Sequence, residues 1–378
     1  MGYSARLFLL VGSLVAPAAQ ADVAFTFTKG AGLLELELTD PGRAASIYEK
    51  TVYAGTIWSG LLKDRVTVNI EVDYDPLLSS VGGASGGGID FAYSDVKSGL
   101  VTDAKSPLDM LSSTKLQAGP TLAMRINDTT MLPDFPTPGF LPYKDDDGSA
   151  NNERMWISRA NAKALGLMSR HHPGNDGKLT FGEADFDFEH SDGIADDTKD
   201  FTGAALHEIG HLLGFYSGVD TVGVLLPPEI GGIGGDQDDY WLVNTLDLFR
   251  YSPESLALGM FVPDLSLPTP GSSPFRFFSV DGGMSPMVPF STGTALMGDG
   301  KQASHWKDDA FGPWWGLMDP TLGDAFPLTH LFLTSAAGLP FDVMAMDTIG
   351  WDVVPTPGTL LVLGAAAGMA GTRRRERV

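Results

Sequence analysis

With 378 residues and 43% hydrophobic composition the chain can bury a large core, and 46 glycines with 25 prolines describe a loop-rich globular protein, which excludes a helical bundle or a disordered tail. A formal net charge of −22 excludes nucleic acid and anionic membrane surfaces as natural partners and suits a soluble protein that tolerates or uses cations such as Ca2+. There is no cysteine, so disulfides and thiolate metal sites are excluded and any metal must be held by His, Asp or Glu.

Residues 1–21 combine Arg6, an apolar run from Leu7 to Val15 and small residues at Ala19 and Ala21, the pattern of a secretory signal peptide cut before Asp22. From residue 22 to 353 a single domain is expected, with no internal repeat and no long low-complexity linker. A helix is predicted over Ala44 to Leu62, where Ile47, Val52, Ile57, Trp58 and Leu61 keep roughly to one side. Directly after it, Val66, Val68, Ile70 and Val72 alternate with Thr67, Asn69, Glu71 and Asp73, which predicts a half-buried strand. GGASGGGID (82–90) and GGIGGDQDD (231–239) read as Gly-rich turns.

Another helix is predicted over Ser158 to Leu167, followed by strand-like alternation in KLTFGEADFDFEHSDG. Helix, strand, helix and strands in this order predict the α+β class. Two acidic loops bear on Ca2+. In HHPGNDGKLTFGE, Asp176, Gly177 and Glu183 fall at positions five, six and twelve of a helix-loop-helix calcium loop, but His172 and Gly174 stand at positions one and three, so a solvated turn is expected. KDDDG (144–148) likewise reads as a surface turn, and Ca2+ is kept only as a subsidiary cofactor expectation.

The stretch LHEIGHLLG (206–214) carries the chemistry. His207 and His211 lie four residues apart, so on a helix both project from one face and can offer imidazole nitrogens to one metal. Glu208 sits at the rim of that face, where it can take a proton from water, while Ile209, Leu212 and Leu213 supply the buried side and Gly214 ends the helix. Zinc needs a third protein ligand in a catalytic site. The position three after Gly214 holds Ser217, and downstream only His305 and His330 remain, with Asp220 as the nearest carboxylate. His171, His172 and His190 precede the helix and have no spacing that suits a metal.

The HExxHxxGF run from His207 to Phe215, a long insertion, Ser304-His305-Trp306 and Leu317-Met318-Asp319-Pro320 together resemble the metzincin metalloproteases, in the leishmanolysin-like variant with a displaced third histidine. The resemblance implies a two-lobed zincin fold of the α+β class in which a twisted sheet backs the active-site helix. It implies Zn2+ held by His207, His211 and His305, Glu208 as general base, Met318 as the Met-turn beneath the metal, and an insertion of about 216–304 that folds out and returns His305. Ser217 departs from the compact pattern, so Asp220 stands as the alternative third ligand. DVMAMDTIGWDVV is similar to the close of many bacterial metzincins, an apolar helix and a short strand, which makes Met344 and Met346 core residues and leaves His330 packed or at the surface.

The activity implied is that of an exported zinc endopeptidase acting on protein or peptide substrates through metal-activated water. A non-catalytic surface or matrix protein built on the same lobe, and a hydrolase of non-peptide amides or esters, are the competing readings. Tyr240 and Trp241 in the insertion suit a lid, a specificity wall or a binding surface alike.

At the C-terminus, residues 354–378 join a Pro-rich break, an apolar run from Leu360 to Gly371 and a basic cluster from Arg373 to Arg377, from which a transmembrane helix is expected although the run is short of about 20 residues. The segment resembles the PEP-CTERM sorting tag, with Pro355-Thr356-Pro357 in place of Pro-Glu-Pro. That resemblance implies exosortase-like sorting machinery as partner, transient membrane association, and a place in the cell envelope or outside a Gram-negative bacterium.

Overall fold

The structure, a computed structural model, describes residues 22–130, 140–334 and 340–354. The signal peptide expected over 1–21 and the sorting segment from Pro355 onward lie outside the described residues. The expected transmembrane helix is corrected: among the described residues no helix is long and apolar enough to cross a membrane. The apolar run from Leu360 to Gly371 itself lies outside the described residues; from length alone, twelve residues at about 1.5 Å each would cover only about 18 Å of a hydrocarbon core of about 30 Å.

A four-stranded sheet forms the centre, in the order Ala24–Lys29, Thr67–Tyr74, Gly177–Phe181, Gly82–Gly86. The first three strands are parallel and the last is an antiparallel edge, paired Gly82 to Phe181 and Gly86 to Gly177. Thr67–Tyr74 buries Val68, Ile70 and Val72 and leaves Thr67, Asn69 and Glu71 half-exposed, as the alternation predicts, but the expected wet Asp73 is buried, its carboxylate accepting from the Leu33 N–H and pairing with Lys178.

A parallel pair needs a crossover, and helices Ala31–Thr39 and Pro41–Leu61 supply it. The longer one starts at Asp40, whose carboxylate accepts from the Arg43 N–H at 3.0 Å, with Pro41 at the first helical position. Its fully buried face is Ala44, Ile47, Thr51, Ala54, Gly55 and Trp58, which includes the expected Ile47 and Trp58, while Ile57 and Leu61 pack against the core only partly buried. Small residues win there because the helix lies close on the sheet.

The α+β class holds. The remaining described elements are short: antiparallel pairs Gly88–Ala92 with Arg154–Ser158 and Met124–Asn127 with Pro142–Asp145, a three-stranded patch around Phe277–Phe278, and helices such as Tyr93–Asp103, Arg159–Ala164 and Phe341–Thr348. Met344 and Met346 are core residues at 3% and 0% exposure, and the chain closes by a bridge from Val353 to Leu62.

Three local expectations change. GGASGGGID is not a turn: it forms most of two strands, because glycine alone lets Trp156 lie 1.8 Å from where a β-carbon at Gly88 would stand. Asp176 is no surface ligand; it is buried and accepts from Lys163 Nζ at 2.6 Å and the Asn69 N–H at 2.7 Å, so its charge is already met. KDDDG is only partly a surface turn, since Asp145 ends a strand at 1% exposure.

Candidate metal centre

The helix that carries both motif histidines, Phe201–Leu212, is buried on every side except at His207. Asp200 caps it, accepting from the Gly203 N–H at 2.9 Å and from the Thr329 N–H and hydroxyl at 2.7 and 2.9 Å, so one carboxylate starts this helix and ties it to the helix Leu328–Thr334. From the opposite side Trp58 donates its indole N–H to Leu206 O at 3.0 Å. The helix stops where the sequence predicts: Gly214 has φ +119°, a conformation that suits glycine, and its N–H reaches His211 O at 3.0 Å.

Three imidazoles converge. Nε2 of His207 lies 3.1 Å from that of His211 and 3.2 Å from that of His305, and the His211 to His305 separation is 3.2 Å. Every Nδ1 faces a backbone carbonyl: His207 that of Leu317 at 2.8 Å, His211 that of Phe215 at 2.8 Å, His305 that of Gln302 at 3.2 Å. A carbonyl can only accept, so each Nδ1 carries the proton and each Nε2 presents a lone pair. Three lone pairs cannot hydrogen-bond one another, and the set fits a cation. Nitrogens about 2.0–2.1 Å from one tetrahedral Zn2+ would stand about 3.3 Å apart, close to the spacing seen. Burial also holds the rings neutral, pushing His207 down to about 4 and His211 to about 3, with His305 well below the usual histidine range.

His305 comes from the far end of the insertion, and a carboxylate brings it in. Asp220 accepts from the N–H groups of Ala303 and Ser304 at 2.7 and 3.0 Å and from the Ser304 hydroxyl at 2.5 Å. With its oxygens accepting from these donors Asp220 holds the loop, and it is not among the groups that converge with the imidazoles. Ser217, at the place of the compact third ligand, donates its N–H to Ser304 Oγ at 2.9 Å and its hydroxyl to Asp247 at 2.7 Å. Arg250 completes the clasp from below, donating to Ala303 O at 3.3 Å and Ser291 O at 2.8 Å.

Met318 lies fully buried under the centre, its sulfur 2.7 Å from where a β-carbon on Gly210 would be, so the glycine in the motif admits it. Asp342 braces this turn, accepting from the Leu317 and Met318 N–H groups at 2.7 and 3.0 Å and from the Trp306 indole at 2.8 Å.

Glu208 stands beside the trio at 8% exposure, pushed up to about 8 by burial against a backbone hydrogen bond from Ala84. Its Oε1 would be 3.2 Å from a β-carbon at Gly82, so the edge strand Gly82–Gly86 passes directly along the carboxylate. All four groups line an open cleft of about 970 Å³, walled by that strand on one side and by Trp241 and Asn244 on the other.

The sequence reading missed Tyr216, whose ring stacks on His211 at 5.5 Å, and it missed Asp342 and Ser304 as braces. Tyr216 directly follows the HExxHxxGF run, and Ser304 and Asp342 stand inside the Ser304-His305-Trp306 and DVMAMDTIGWDVV stretches, but nothing local marks them as braces. His330 sits on the exposed side of its helix, outside the trio; His171 bonds Thr67, His172 bonds Arg159, and His190 stacks on Tyr53.

No family model, curated protein or solved structure matches this chain.

Proposed function

We propose that the chain is a zinc-dependent endopeptidase of metzincin-like, two-lobed zincin fold, exported by way of residues 1–21 and sorted at the envelope through its C-terminal segment. The observation that carries the reading is the meeting of three Nε2 lone pairs at 3.1–3.2 Å with a buried carboxylate, Glu208, beside them in an open cleft. His207, His211 and His305 would hold the ion, and Zn2+ bound there would supply Lewis acidity to a carbonyl and to a water.

Glu208 does the proton work. Buried beside the trio and facing the cleft, its carboxylate is placed to take a proton from the attacking water and return it to the leaving amine. The edge strand Gly82–Gly86 is paired on one side only, to Gly177–Phe181, and its other side borders the cleft, so an extended peptide can add to it and bring its carbonyl to the trio. Strand addition favours a peptide over a small ester or amide. An intact base in an open cleft weighs against a purely structural or matrix role.

The test is casein cleavage and zinc content of the protein beside its Glu208→Gln and His305→Ala variants. Glu208→Gln should keep zinc and lose turnover by a factor on the order of 10²–10⁴; His305→Ala should lose both. Full activity in Glu208→Gln, or zinc-loaded wild-type protein inert toward every peptide substrate, would sink the reading.

A further inference from the structure

An acidic cluster lies outside the histidine site, next in sequence to the cleft wall that carries Trp241. Asp145 ends the strand Pro142–Asp145 with its side chain buried at 1% exposure. Its Oδ2 accepts from Asn151 Nδ2 at 2.8 Å, whereas Oδ1 is buried with no hydrogen-bond partner among the described residues. Asp147 and Asp238 bring carboxylate oxygens within 4.8 Å of Asp145 and of each other. The Asn151 amide also donates to Asp238 at 3.2 Å, holding the two chain segments together.

No lysine or arginine among the described residues pairs with any of the three; Lys144, the nearest in sequence, bonds Asp146 at 2.5 Å. A buried carboxylate oxygen without a donor is costly, and two further carboxylates with no counter-charge make it more so. A cation removes both costs at once.

We propose that Asp145, Asp147 and Asp238 form a binding site for one Ca2+ ion. All three donors are hard carboxylate oxygens, drawn from a strand end, the loop after it and a single turn distant in sequence, which suits Ca2+ better than the geometrically strict Mg2+. The site joins the turn at 145–152 to the single turn Gln237–Asp239, three residues before Trp241, which is 46% exposed and lines the cleft beside His207, Glu208 and His305. Two residues further on, Val243 O accepts from the Trp156 N–H at 2.9 Å, anchoring the other end of the wall. Ca2+ at this place clamps the cleft wall that carries Trp241 and needs no metal at the histidines.

Calorimetric titration of the full-length protein with CaCl2, with the histidine centre saturated by Zn2+, is the test. Wild-type protein should bind one Ca2+ per chain and melt at a higher temperature with Ca2+ present. Asp145→Asn, Asp147→Asn and Asp238→Asn should each weaken that binding on the order of tenfold or more. Asp147 is exposed, so its variant stays informative if Asp145→Asn fails to fold. Absence of binding by the wild type up to about 10 mM, beyond the weakest range of calcium modules, or unchanged binding in Asp147→Asn and Asp238→Asn, overturns the site.

Discussion

Asp220 grips Ser304, the residue immediately before His305: its Oδ2 accepts from the Ser304 N–H at 3.0 Å and from the Ser304 hydroxyl at 2.5 Å across 84 positions of sequence. That relationship holds the loop that carries His305 against a helix far upstream and, if the trio binds zinc as proposed, makes Asp220 a support for it. Removing such a support should cost zinc affinity without abolishing it. We expect Asp220→Ala to weaken zinc binding by about 10–100-fold, the size of effect seen for groups that orient metal ligands, and Asp220→Asn by less. Chelator competition reads this out. Zinc retained by His305→Ala but lost from Asp220→Ala would reverse the two roles.

Metal removal should be visible as stability. The three imidazoles turn Nε2 lone pairs toward one another at 3.1–3.2 Å with no proton between them, so an ion that binds only the folded form raises its stability. At free Zn2+ about 100 times the dissociation constant the gain is about 2.7 kcal/mol. Melting curves with Zn2+ and with a chelator should separate accordingly, and His207→Ala should erase the difference.

The brace at Asp342 predicts a structural defect that spreads to the centre. Its carboxylate serves three buried donors, on Trp306, Leu317 and Met318, and Asp342→Ala leaves all of them unmet. A loss of about 3 kcal/mol or more is expected from stranded buried donors. Urea unfolding measures it; a loss under about 1 kcal/mol would show that water replaces the carboxylate.

Stability should also depend on pH through a buried acid cluster remote from the cleft. Asp64, 5% exposed, is pushed up to about 8 by burial and then by the charge of Asp352, with Asp103 adding to it and Lys105 partly offsetting it. Asp109 is raised to about 8 and Asp347 to about 7, burial again leading. A carboxyl raised in the folded state contributes stability that is complete below its unfolded value of about 4 and is lost as pH climbs through the folded value. The melting temperature should therefore fall between pH 5 and pH 9, and Asp64→Asn should flatten the slope. An unchanged slope in that variant would remove Asp64 as its cause.

Local chemistry made the helix Phe201–Leu212 legible, because four-residue spacing of histidines, a hydrophobic remainder and a terminal glycine are all properties of adjacent residues. The same is true of the strand Thr67–Tyr74, whose period-two alternation survives as alternating burial. The crossover helix and most of its inner face are legible, with Ile47 and Trp58 buried and Ile57 and Leu61 packed partly buried against the core, but close approach to the sheet also selects Ala54 and Gly55, which bulk does not mark. Glycine repetition in residues 82–90 suggested a turn, yet pairing with Gly177–Phe181 and Arg154–Ser158 made it strand.

Two histidines, a glutamate and the helix that bears them are written in one short run of the chain, since helical geometry alone puts the histidines on one face and the glutamate at its rim. Whether His305 or Asp220 completes the set depends on which of them 80-odd residues of intervening chain returns to that face, a question of long-range packing that no local pattern encodes. The folded chain brings in His305 and turns Asp220 to the amides of Ala303 and Ser304. Burial of Asp145 beside Asp238 has the same origin, because the cost of an unmet carboxylate arises only when tertiary contacts close over it.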